Sequence, residues 1–461
     1  MKNNKTFLIY ISLVASLGGF LFGYDWVVIG GAKPFYEAYM GIGEIKSLQG
    51  FVMSSAILGC LLGVMVSGTL SDRYGRKYLM TTAALIFIIS AIGTGAVSTV
   101  KWFVVYRIIG GIGIGIASNL SPMYIAEISP AKIRGRFVSI NQLTIVLGIL
   151  AAQLTNWLIS QPVLADEYFL HTWNVQWGWR WMFWAEIIPA TLFFILIFFI
   201  PESPRWLAIR GRYAEASKIL EKIERKEDVE LQINELKANK PVPESFKAQV
   251  HLLFEKRITR ILFIGILMAA IQQWCGINVI FNYAQEVFAA AGYEVSDILF
   301  NIVVTGIINV VFTFVGMYTV DHWGRRKLLL FGFAGLTCIY AVLGYCYFSG
   351  ITGKMVFILV IAAIACYAMS LAPVIWVVIS EIFPTRIRGA AMAVATFSLW
   401  TACFLLTYTF PVLNQSLGSC GTFWIYGLIC IGGFILVLRK LPETKGKTLE
   451  QIEDEFQIIK S

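Results

Sequence analysis

The amino-acid sequence predicts an all-α membrane protein with twelve transmembrane helices in two six-helix bundles. Hydrophobic residues make up 57% of the 461 positions and charged residues only 14%, with a mean hydropathy of +0.71. Charged residues average about 25% in soluble proteins. Twelve stretches are long and apolar enough to cross a bilayer, which takes about 20 residues each. Motifs of the first half also recur in the second half. These observations exclude a soluble multidomain enzyme.

The predicted spans are runs that carry very few charges. They cover residues 7–32, 47–70, 78–98, 102–126, 137–160, 181–200, 258–290, 298–320, 327–349, 354–380, 388–413 and 421–441. The first run follows two lysines, as the core of a secretory signal peptide would. It is longer than the roughly 7–15 residues of such a core and lacks a small-residue cleavage site. We therefore interpret it as a retained helix.

These runs divide the chain into four parts. An N-terminal six-helix bundle (residues 1–200) is joined by a charged segment (201–257) to a C-terminal six-helix bundle (258–441), and a tail follows (442–461). The charged segment mixes both signs of charge with apolar residues. This pattern favours short, solvated amphipathic helices over a binding surface, so we expect a small helical domain between the bundles.

Lysine and arginine counts in the short loops predict the orientation in the membrane. The loops after helices 2, 4, 8 and 10 carry eleven of these residues. The loops on the other side carry five, which are Lys33, Lys46, Lys101, Arg180 and Lys354. By the positive-inside rule the basic side is cytoplasmic, so we expect both termini and segment 201–257 there. The formal net charge of +9 then reflects topology, and no nucleic-acid partner is expected.

Cysteine and histidine usage gives no sign of a disulfide framework or a metal site. The eight cysteines are scattered through apolar stretches without CxxC spacing, and the chain has only three histidines. The spans contain no HExxH, GxSxG or other pairing of nucleophile and base. We expect no cofactor, no metal ion, no catalytic residues and no enzyme activity.

Loop motifs repeat between the halves at nearly constant offsets. The sequence GTLSDRYGRK at residues 68–77 returns as GMYTVDHWGRRK at 316–327, and PMYIAEISPAKIRG at 122–135 returns as PVIWVVISEIFPTRIRG at 373–389. Offsets of 249, 254 and 241 positions separate Asp72 from Asp321, Glu127 from Glu381, and Glu202 from Glu443. Such offsets indicate a duplication. Parallel repeats of six helices are typical of proteins that hold a substrate between the repeats near the middle of the membrane.

The paired DRxGRK-type loops, the run RIIGGIGIGIASNLSPMYIAEISPAKIRG, the segment PESPRWL and the later PETKG resemble the sugar porter family of the major facilitator superfamily. The resemblance covers nearly the whole chain. It implies the major facilitator fold with a small cytoplasmic helical domain. It also implies a monomer in the bacterial inner membrane, surrounded by the lipid bilayer, that takes up a monosaccharide, a pentose or a hexose, together with a proton by alternating access.

Charged residues recur at the cytoplasmic helix ends of both halves. Exposed ion pairs contribute only about 0–1 kcal/mol each, so stability alone is a weak reason for so many of them. We interpret them as a gating network that forms in one conformation and breaks in another. The alternative is that they only anchor the topology. The residues concerned are Asp72, Arg76, Glu127, Arg134, Glu202, Arg205, Asp321, Arg325, Glu381, Arg388 and Glu443.

Three ionisable residues lie inside the apolar runs, where each is functional by default because it is costly to place there. They are Asp25 in helix 1, Arg107 in helix 4 and Glu186 in helix 6. Arg107 is the expected counter-charge for one or both carboxylates. The alternative is a static salt bridge, although buried ion pairs rarely repay their desolvation. The resemblance assigns these positions to proton coupling, and uniporter relatives have Asn where Asp25 stands.

Helix 7 carries three amides around a glycine. Gln272, Gln273 and Asn278 lie within seven positions, and a helix break at Gly276 would let them face one cavity. Amides both donate and accept hydrogen bonds, as sugar hydroxyls do; the alternative is that they bond neighbouring helices. The resemblance implies that they bind the sugar. It adds Gln142 and Asn282 and the aromatic residues Phe22, Trp376 and Trp400.

Departures from the family pattern leave the sugar open. Leu399 stands where an amide is usual, Ala372 where glycine is usual, and Asn282 where a tyrosine stands in the most similar pattern. Two other functions remain as alternatives. A facilitative sugar uniporter is opposed by Asp25, and a transporter-like sugar sensor is opposed by the short tail after helix 12.

Overall fold

The computed structural model describes residues 5–130, 133–162, 168–223, 229–230, 233, 253, 255–293, 295–383 and 388–445. Throughout these ranges the regular structure is helical, without β-strands. The first half contains α1 (Lys5–Met40), α2 (Lys46–Tyr74), α3 (Arg76–Ala96), α4 (Val100–Ile128) and α5 (Arg134–Ile159). Short 3₁₀ and π turns then lead into α6 (Trp179–Trp184) and α7 (Ile187–Leu196). These two helices form the sixth predicted span, which is interrupted at Glu186.

Helix α1 is longer than the sequence suggested. The low-charge run that predicted this helix ends at residue 32, but the helix continues through Lys33 and Pro34 to Met40. Lys33 is therefore a buried helix residue and not a loop residue. The helix tolerates this lysine because Glu37, one turn further on, neutralises it. Arg180, also assigned to a loop, lies buried in α6, where it donates to the backbone oxygens of Gly95 and Val97.

Two short helices follow the first six spans. They are α8 (Pro204–Ile209) and α9 (Tyr213–Leu220), and Ser203 caps α8 by accepting a hydrogen bond from the Trp206 backbone N–H. A small apolar cluster of Leu207, Ala216, Leu220, Val229 and Ile233 holds them together. This is the pattern expected for the small helical domain, although most of residues 224–254 lie outside the described part.

The second half contains α10 (Lys256–Trp274), α11 (Ile277–Asn282), α12 (Ala284–Ala290), α13 (Val295–Trp323), α14 (Arg325–Phe348), α15 (Lys354–Met369), α16 (Leu371–Ile382) and α17 (Arg388–Lys440). The expected break at Gly276 is present, since this residue has φ +85° and separates α10 from α11. Two further breaks were not expected. Tyr283 separates α11 from α12, and Ser370 divides the tenth span between α15 and α16.

The spans number twelve. Within the described residues, eleven helical stretches are long and apolar enough to cross a membrane. The last, Ala390–Lys440, has 51 residues and a non-helical backbone at Gly418. At 1.5 Å per residue it measures about 76 Å, more than twice a hydrocarbon core of about 30 Å. It therefore crosses twice, and the chain is an all-α membrane protein of the predicted class.

The chain forms two compact units. The first unit comprises Met1–Val28, Leu58–Thr155 and Trp179–Pro243, and the second comprises Ile29–Ile57, Asn156–Gly178 and Glu244–Ser461. In the first unit, glycines let helix backbones touch. A Cβ on Gly23 of α1 would lie 1.9 Å from the Ile145 oxygen of α5, and one on Gly148 of α5 would lie 2.0 Å from the Phe20 oxygen of α1. Small residues at such crossings are typical of membrane helix packing.

Candidate functional site

A buried charged cluster lies in the first unit. Asp25 of α1 and Arg107 of α4 are each 1% exposed, and Glu186, at the break between α6 and α7, is 2% exposed. Arg107 Nη1 donates to Asp25 Oδ1, and Arg107 Nη2 donates to the Asp25 backbone oxygen at 3.2 Å. Glu186 lies close enough to interact electrostatically with both. The structure thus brings together the three residues singled out for proton coupling.

Small and aromatic neighbours make room for this cluster. Asp25 lies two residues after Gly23, at which the backbones of α1 and α5 approach each other closely. A Cβ on Gly110, one turn after Arg107, would lie 3.1 Å from Asp25 Oδ2. The Phe183 ring lies 5.7 Å from Arg107 Cζ and offers a favourable face to the cation. The glycine-rich run of α4 therefore permits the close approach of the carboxylate.

Hydrogen bonding within the cluster is incomplete. Asp25 Oδ2, Glu186 Oε1 and Arg107 Nε have no hydrogen-bond partner among the described residues. Two carboxylates share one guanidinium, so the cluster carries one net negative charge when both are ionised. A buried unbalanced charge is costly, and one proton removes it. The composition of the cluster therefore suits a site that binds and releases a single proton.

The helix 7 amides lie together in the second unit. Asn278 Nδ2 donates to Gln273 Oε1 at 2.5 Å across the break at Gly276. Gln272 Nε2 donates to the Leu371 backbone oxygen at 3.3 Å, where the tenth span is interrupted. Gln272 therefore links the end of α10, next to one helix break, to the start of α16, next to the other.

The other predicted sugar-binding residues lie on several helices and differ in burial. Asn282 is buried at the end of α11, and its Oδ1 has no hydrogen-bond partner in the described structure. Trp400 of α17 is buried, whereas Trp376 of α16 is 38% exposed. Phe22 and Gln142 are half-buried residues of α1 and α5 in the first unit. The structure groups the helix 7 amides directly and leaves the aromatic contacts on separate helices.

Sequence reasoning missed three polar residues near these helices. Gln153 of α5 is 2% exposed, and neither of its amide atoms has a hydrogen-bond partner in the described structure. Asn141 is also buried, with its Oδ1 unsatisfied there and 2.6 Å from the position that a Cβ on Gly19 would take. Tyr367 lies beside Gln272. Gln153 could have been found from the sequence, because it is an amide within an apolar run.

Arg76 organises the predicted gating residues of the first unit. Its Nε and Nη2 donate to the two oxygens of Glu127, both at 3.1 Å, and its Nη1 lies 2.9 Å from Asp72 Oδ1. Ser203 Oγ donates to Glu127 Oε2 at 2.5 Å. Arg76 and Glu127 are buried, whereas Asp72 is exposed. The bidentate pair is the strong type of charged hydrogen bond.

Glu202 caps the start of α3. Its carboxylate accepts hydrogen bonds from the backbone N–H groups of Arg76, Lys77 and Ser203 at 2.7–3.2 Å. Gly75 has φ +106°, and a Cβ there would lie 2.3 Å from Glu202 Oε2. A carboxylate at a helix N-terminus is favoured by the helix dipole. Burial raises the pKa of the Glu202 carboxyl above its ordinary value, against the opposing effect of the three N–H donors.

The second unit repeats this arrangement. Glu443 accepts from the backbone N–H groups of Arg325 and Arg326 at 2.9 and 3.1 Å, beside Gly324 with φ +88°. Arg325 Nη2 donates to Glu381 Oε1 at 3.2 Å, and Thr444 Oγ1 donates to Glu381 Oε2 at 2.6 Å. The duplicated motifs therefore form duplicated networks, each within its own unit.

Four other predicted gating residues either are exposed or have side chains beyond the described part of the structure. Arg134 and Arg205 are exposed. Asp321 belongs to α13 and Arg388 to α17, but their side chains lie outside the described part.

The family model for "Sugar (and other) transporter" matches residues 11–456. The chain belongs to this family. It is 37% identical over 480 residues to the D-xylose-proton symporter of Escherichia coli (strain K12), with 98% of this chain and 96% of the relative covered. It is 36% identical over 457 residues to the arabinose-proton symporter of Bacillus subtilis (strain 168), with the same coverage. The chain is a multi-pass membrane transporter and not an enzyme.

A solved structure is similar over nearly the same length. It is the inward-open conformation of the xylose transporter XylE from E. coli, with a TM-score of 0.85 and 36% identity. The match covers 97% of this chain and 99% of that chain. The fold is therefore the major facilitator fold that the loop motifs indicated.

Proposed function

We propose that this protein takes up a monosaccharide together with a proton by alternating access. The observation that carries the proposal is the buried cluster of Asp25, Arg107 and Glu186, in which two carboxylates share one guanidinium. Membership of the sugar transporter family supports it, as do the names of two relatives, a D-xylose-proton and an arabinose-proton symporter. The proposed substrate is a pentose or hexose similar to xylose.

The proposed coupling step concerns Asp25. Paired with Arg107, the Asp25 carboxylate has a counter-charge. A conformational change that separates the two would leave a buried negative charge, which a proton from solution would neutralise. When Arg107 approaches again, the ion pair would re-form and the proton would leave. Glu186 is the second carboxylate through which the proton could pass.

The proposed sugar site uses the amides beside the two helix breaks. Gln272, Gln273 and Asn278 would bind hydroxyls, together with Gln142 and Asn282. Phe22, Trp376 and Trp400 would pack on the faces of the ring. Support comes from the proximity of Gln273 and Asn278 and from the buried, unsatisfied Asn282 oxygen.

The Arg76 and Arg325 networks are proposed to act as cytoplasmic gating elements. They would be strong in one conformation and strained or broken in another, which would bias the equilibrium between the two. The protein is proposed to work as a monomer in the lipid bilayer of the cell inner membrane with both termini in the cytoplasm. The loop charge bias supports this orientation.

The decisive experiment is uptake of a panel of labelled sugars by transport-deficient cells that express the full chain. Concentrative uptake that a protonophore abolishes is expected for one or a few monosaccharides. Uptake that only equilibrates and ignores the protonophore would instead identify a uniporter. Binding without uptake would identify a sensor.

A further inference from the structure

A second buried charged cluster lies near the far end of α1, within the second unit. The Lys33 side chain is 6% exposed, and its Nζ lies 2.9 Å from Glu37 Oε2 and 2.5 Å from Glu286 Oε1. The same ammonium lies 5.7 Å from the centre of the Tyr283 ring. No residue of this cluster belongs to the proton-coupling site, the sugar site or the cytoplasmic networks. The cluster is therefore separate from the sites described above.

The two carboxylates relate to Lys33 in different ways. Glu37 lies one turn along the same helix, so α1 itself fixes the distance of that pair. Glu286 belongs to α12, so the second pair joins two helices. Glu37 alone is sufficient to balance the lysine. The interhelical pair is therefore an addition, and it is the one that depends on where α12 lies.

Helix α12 is a short segment between two backbone breaks. It begins after Tyr283, whose φ of −122° and ψ of 28° interrupt the helix, and it ends before Gly292, with φ +83°. A third break at Gly276 precedes α11. The helix is therefore interrupted at two places between α10 and α12. This arrangement allows α12 to move without unfolding the rest of the span.

Close packing also joins α1 to α11 and α12. A Cβ on Gly30 would lie 3.1 and 3.2 Å from the backbone oxygens of Asn282 and Phe281. Gln285 Nε2 donates to the Gly31 oxygen at 3.1 Å. These contacts are weak or neutral, whereas the pair between Lys33 and Glu286 is charged, with side chains that are 6% and 30% exposed. The ion pair is therefore the strongest directional contact described between the two elements.

The cluster borders a cavity of about 440 Å³. Besides the three charged residues, Lys46 and Gln49 line this cavity, next to the loop that joins α1 to α2. That loop is on the membrane side opposite the GTLSDRYGRK loop, because a single span, α2, separates them. The ion pair therefore lies toward the side that is predicted to be non-cytoplasmic.

We propose that Lys33 and Glu286 form a gating pair on the non-cytoplasmic side. The pair holds α12 on α1 while that side is closed, and it breaks when α12 moves away. Glu37 then keeps the charge of Lys33 balanced, so that opening does not leave a buried ammonium without a counter-charge. Lys33, Glu37 and Glu286 are thus positioning residues of the transport cycle. This role rests on the proposed alternating access.

Hydrogen exchange of the purified full-length protein tests the gate without relying on transport. Lys33→Met and Glu286→Gln are each expected to raise exchange in peptides covering 284–292 by about tenfold, on the scale of a lost buried charge pair. The double variant should show no further rise, because both single changes remove the same contact. Lys33→Arg should keep the protection and serves as the charge-conserving control.

Glu37→Gln is the matched comparison, because it removes a carboxylate from the same lysine and leaves the interhelical pair. It is expected to leave exchange in 284–292 within about twofold of wild type. The proposed gate would be overturned if Glu37→Gln and Glu286→Gln raised hydrogen exchange equally. It would also be overturned if neither Lys33→Met nor Glu286→Gln raised it. The double variant that combines Lys33→Glu with Glu286→Lys exchanges the two charges. It should restore part of the protection from exchange that the single variants lose.

The uptake assay separates this inference from the proposed function. Loss of proton coupling in the Asp25→Asn variant would leave the exchange difference at 284–292 unchanged. Conversely, if the exchange data contradict the gate, sugar uptake sensitive to a protonophore would still support symport.

Discussion

The Arg76 guanidinium binds the Glu127 carboxylate through two parallel hydrogen bonds of 3.1 Å. The corresponding pair of the second unit, Arg325 and Glu381, has one such bond at 3.2 Å. The side chains of the first pair are 5% and 7% exposed, and those of the second are 15% and 22% exposed. The duplicated motifs thus give two pairs of unequal strength.

Replacing each arginine by lysine should reveal this inequality. Arg76→Lys keeps the charge but cannot form the two-pronged contact, so it should lower the free energy of unfolding by about 1–3 kcal/mol. Arg325→Lys should cost less, because the contact between Arg325 and Glu381 is a single hydrogen bond between more exposed side chains. Thermal unfolding in one detergent measures both variants. Equal losses would contradict the ranking, and exposed Arg205→Lys is the control.

The Glu202 cap predicts different results for alanine and glutamine. Glu202→Ala leaves the first N–H groups of α3 without their acceptor and should cost about 1 kcal/mol of stability. Glu202→Gln keeps an oxygen acceptor and should cost less. Both are measured by thermal unfolding at neutral pH. A glutamine variant as unstable as the alanine variant would show that the charge, and not the hydrogen bonds, matters.

The same glutamine variant predicts a pH dependence. Because the pKa of Glu202 is raised in the folded protein, the folded state binds this proton more tightly than the unfolded state does. The contribution of Glu202 to the free energy of unfolding is therefore present at low pH. It declines as the pH rises from the ordinary glutamate pKa of about 4.3 through the pKa of the folded state. Wild type should lose stability relative to Glu202→Gln over that interval. A constant difference would contradict the raised pKa.

Asp25→Asn should separate sugar binding from proton coupling. Asparagine keeps the volume and can still accept from Arg107, but it cannot carry a proton. Concentrative uptake should be lost. The membrane potential would then no longer contribute about 2.3 kcal/mol per 100 mV to sugar accumulation. Sugar binding and exchange without net energy input should remain. Full proton-driven accumulation by this variant would transfer the role to Glu186, which Glu186→Gln then tests.

The helix 7 amides should contribute directly to sugar affinity. Gln272→Ala, Gln273→Ala and Trp376→Ala are each expected to weaken binding by about 1–3 kcal/mol, the scale of a lost hydrogen bond or ring contact in a desolvated site. Calorimetry or competition with a labelled sugar measures this. Exposed Gln415→Ala in α17 is the matched control. Unchanged binding in all three variants would remove these residues from the site.

Composition and repeats were sufficient to predict the spans, the duplicated loops and the break at Gly276. They did not predict the breaks at Tyr283 and Ser370, because hydropathy is nearly constant across an interruption that neighbouring helices stabilise. They also placed Lys33 in a loop. A lysine ends a run that carries few charges, and only the structure shows that Glu37 and Glu286 neutralise this lysine within the helix. Contacts distant in sequence, such as Glu202 with the start of α3, leave no local signal.

That distant contact bears on how the protein is made. The first N–H groups of α3 emerge from the ribosome 126 residues before the carboxylate that caps them. The first six spans can therefore be inserted before α3 is capped, because capping requires that Glu202 has been synthesised. A half-length chain that stops at residue 200 would lack its own cap. A chain extended through the short helices to residue 223 would carry the cap and is the better choice for expressing one half alone.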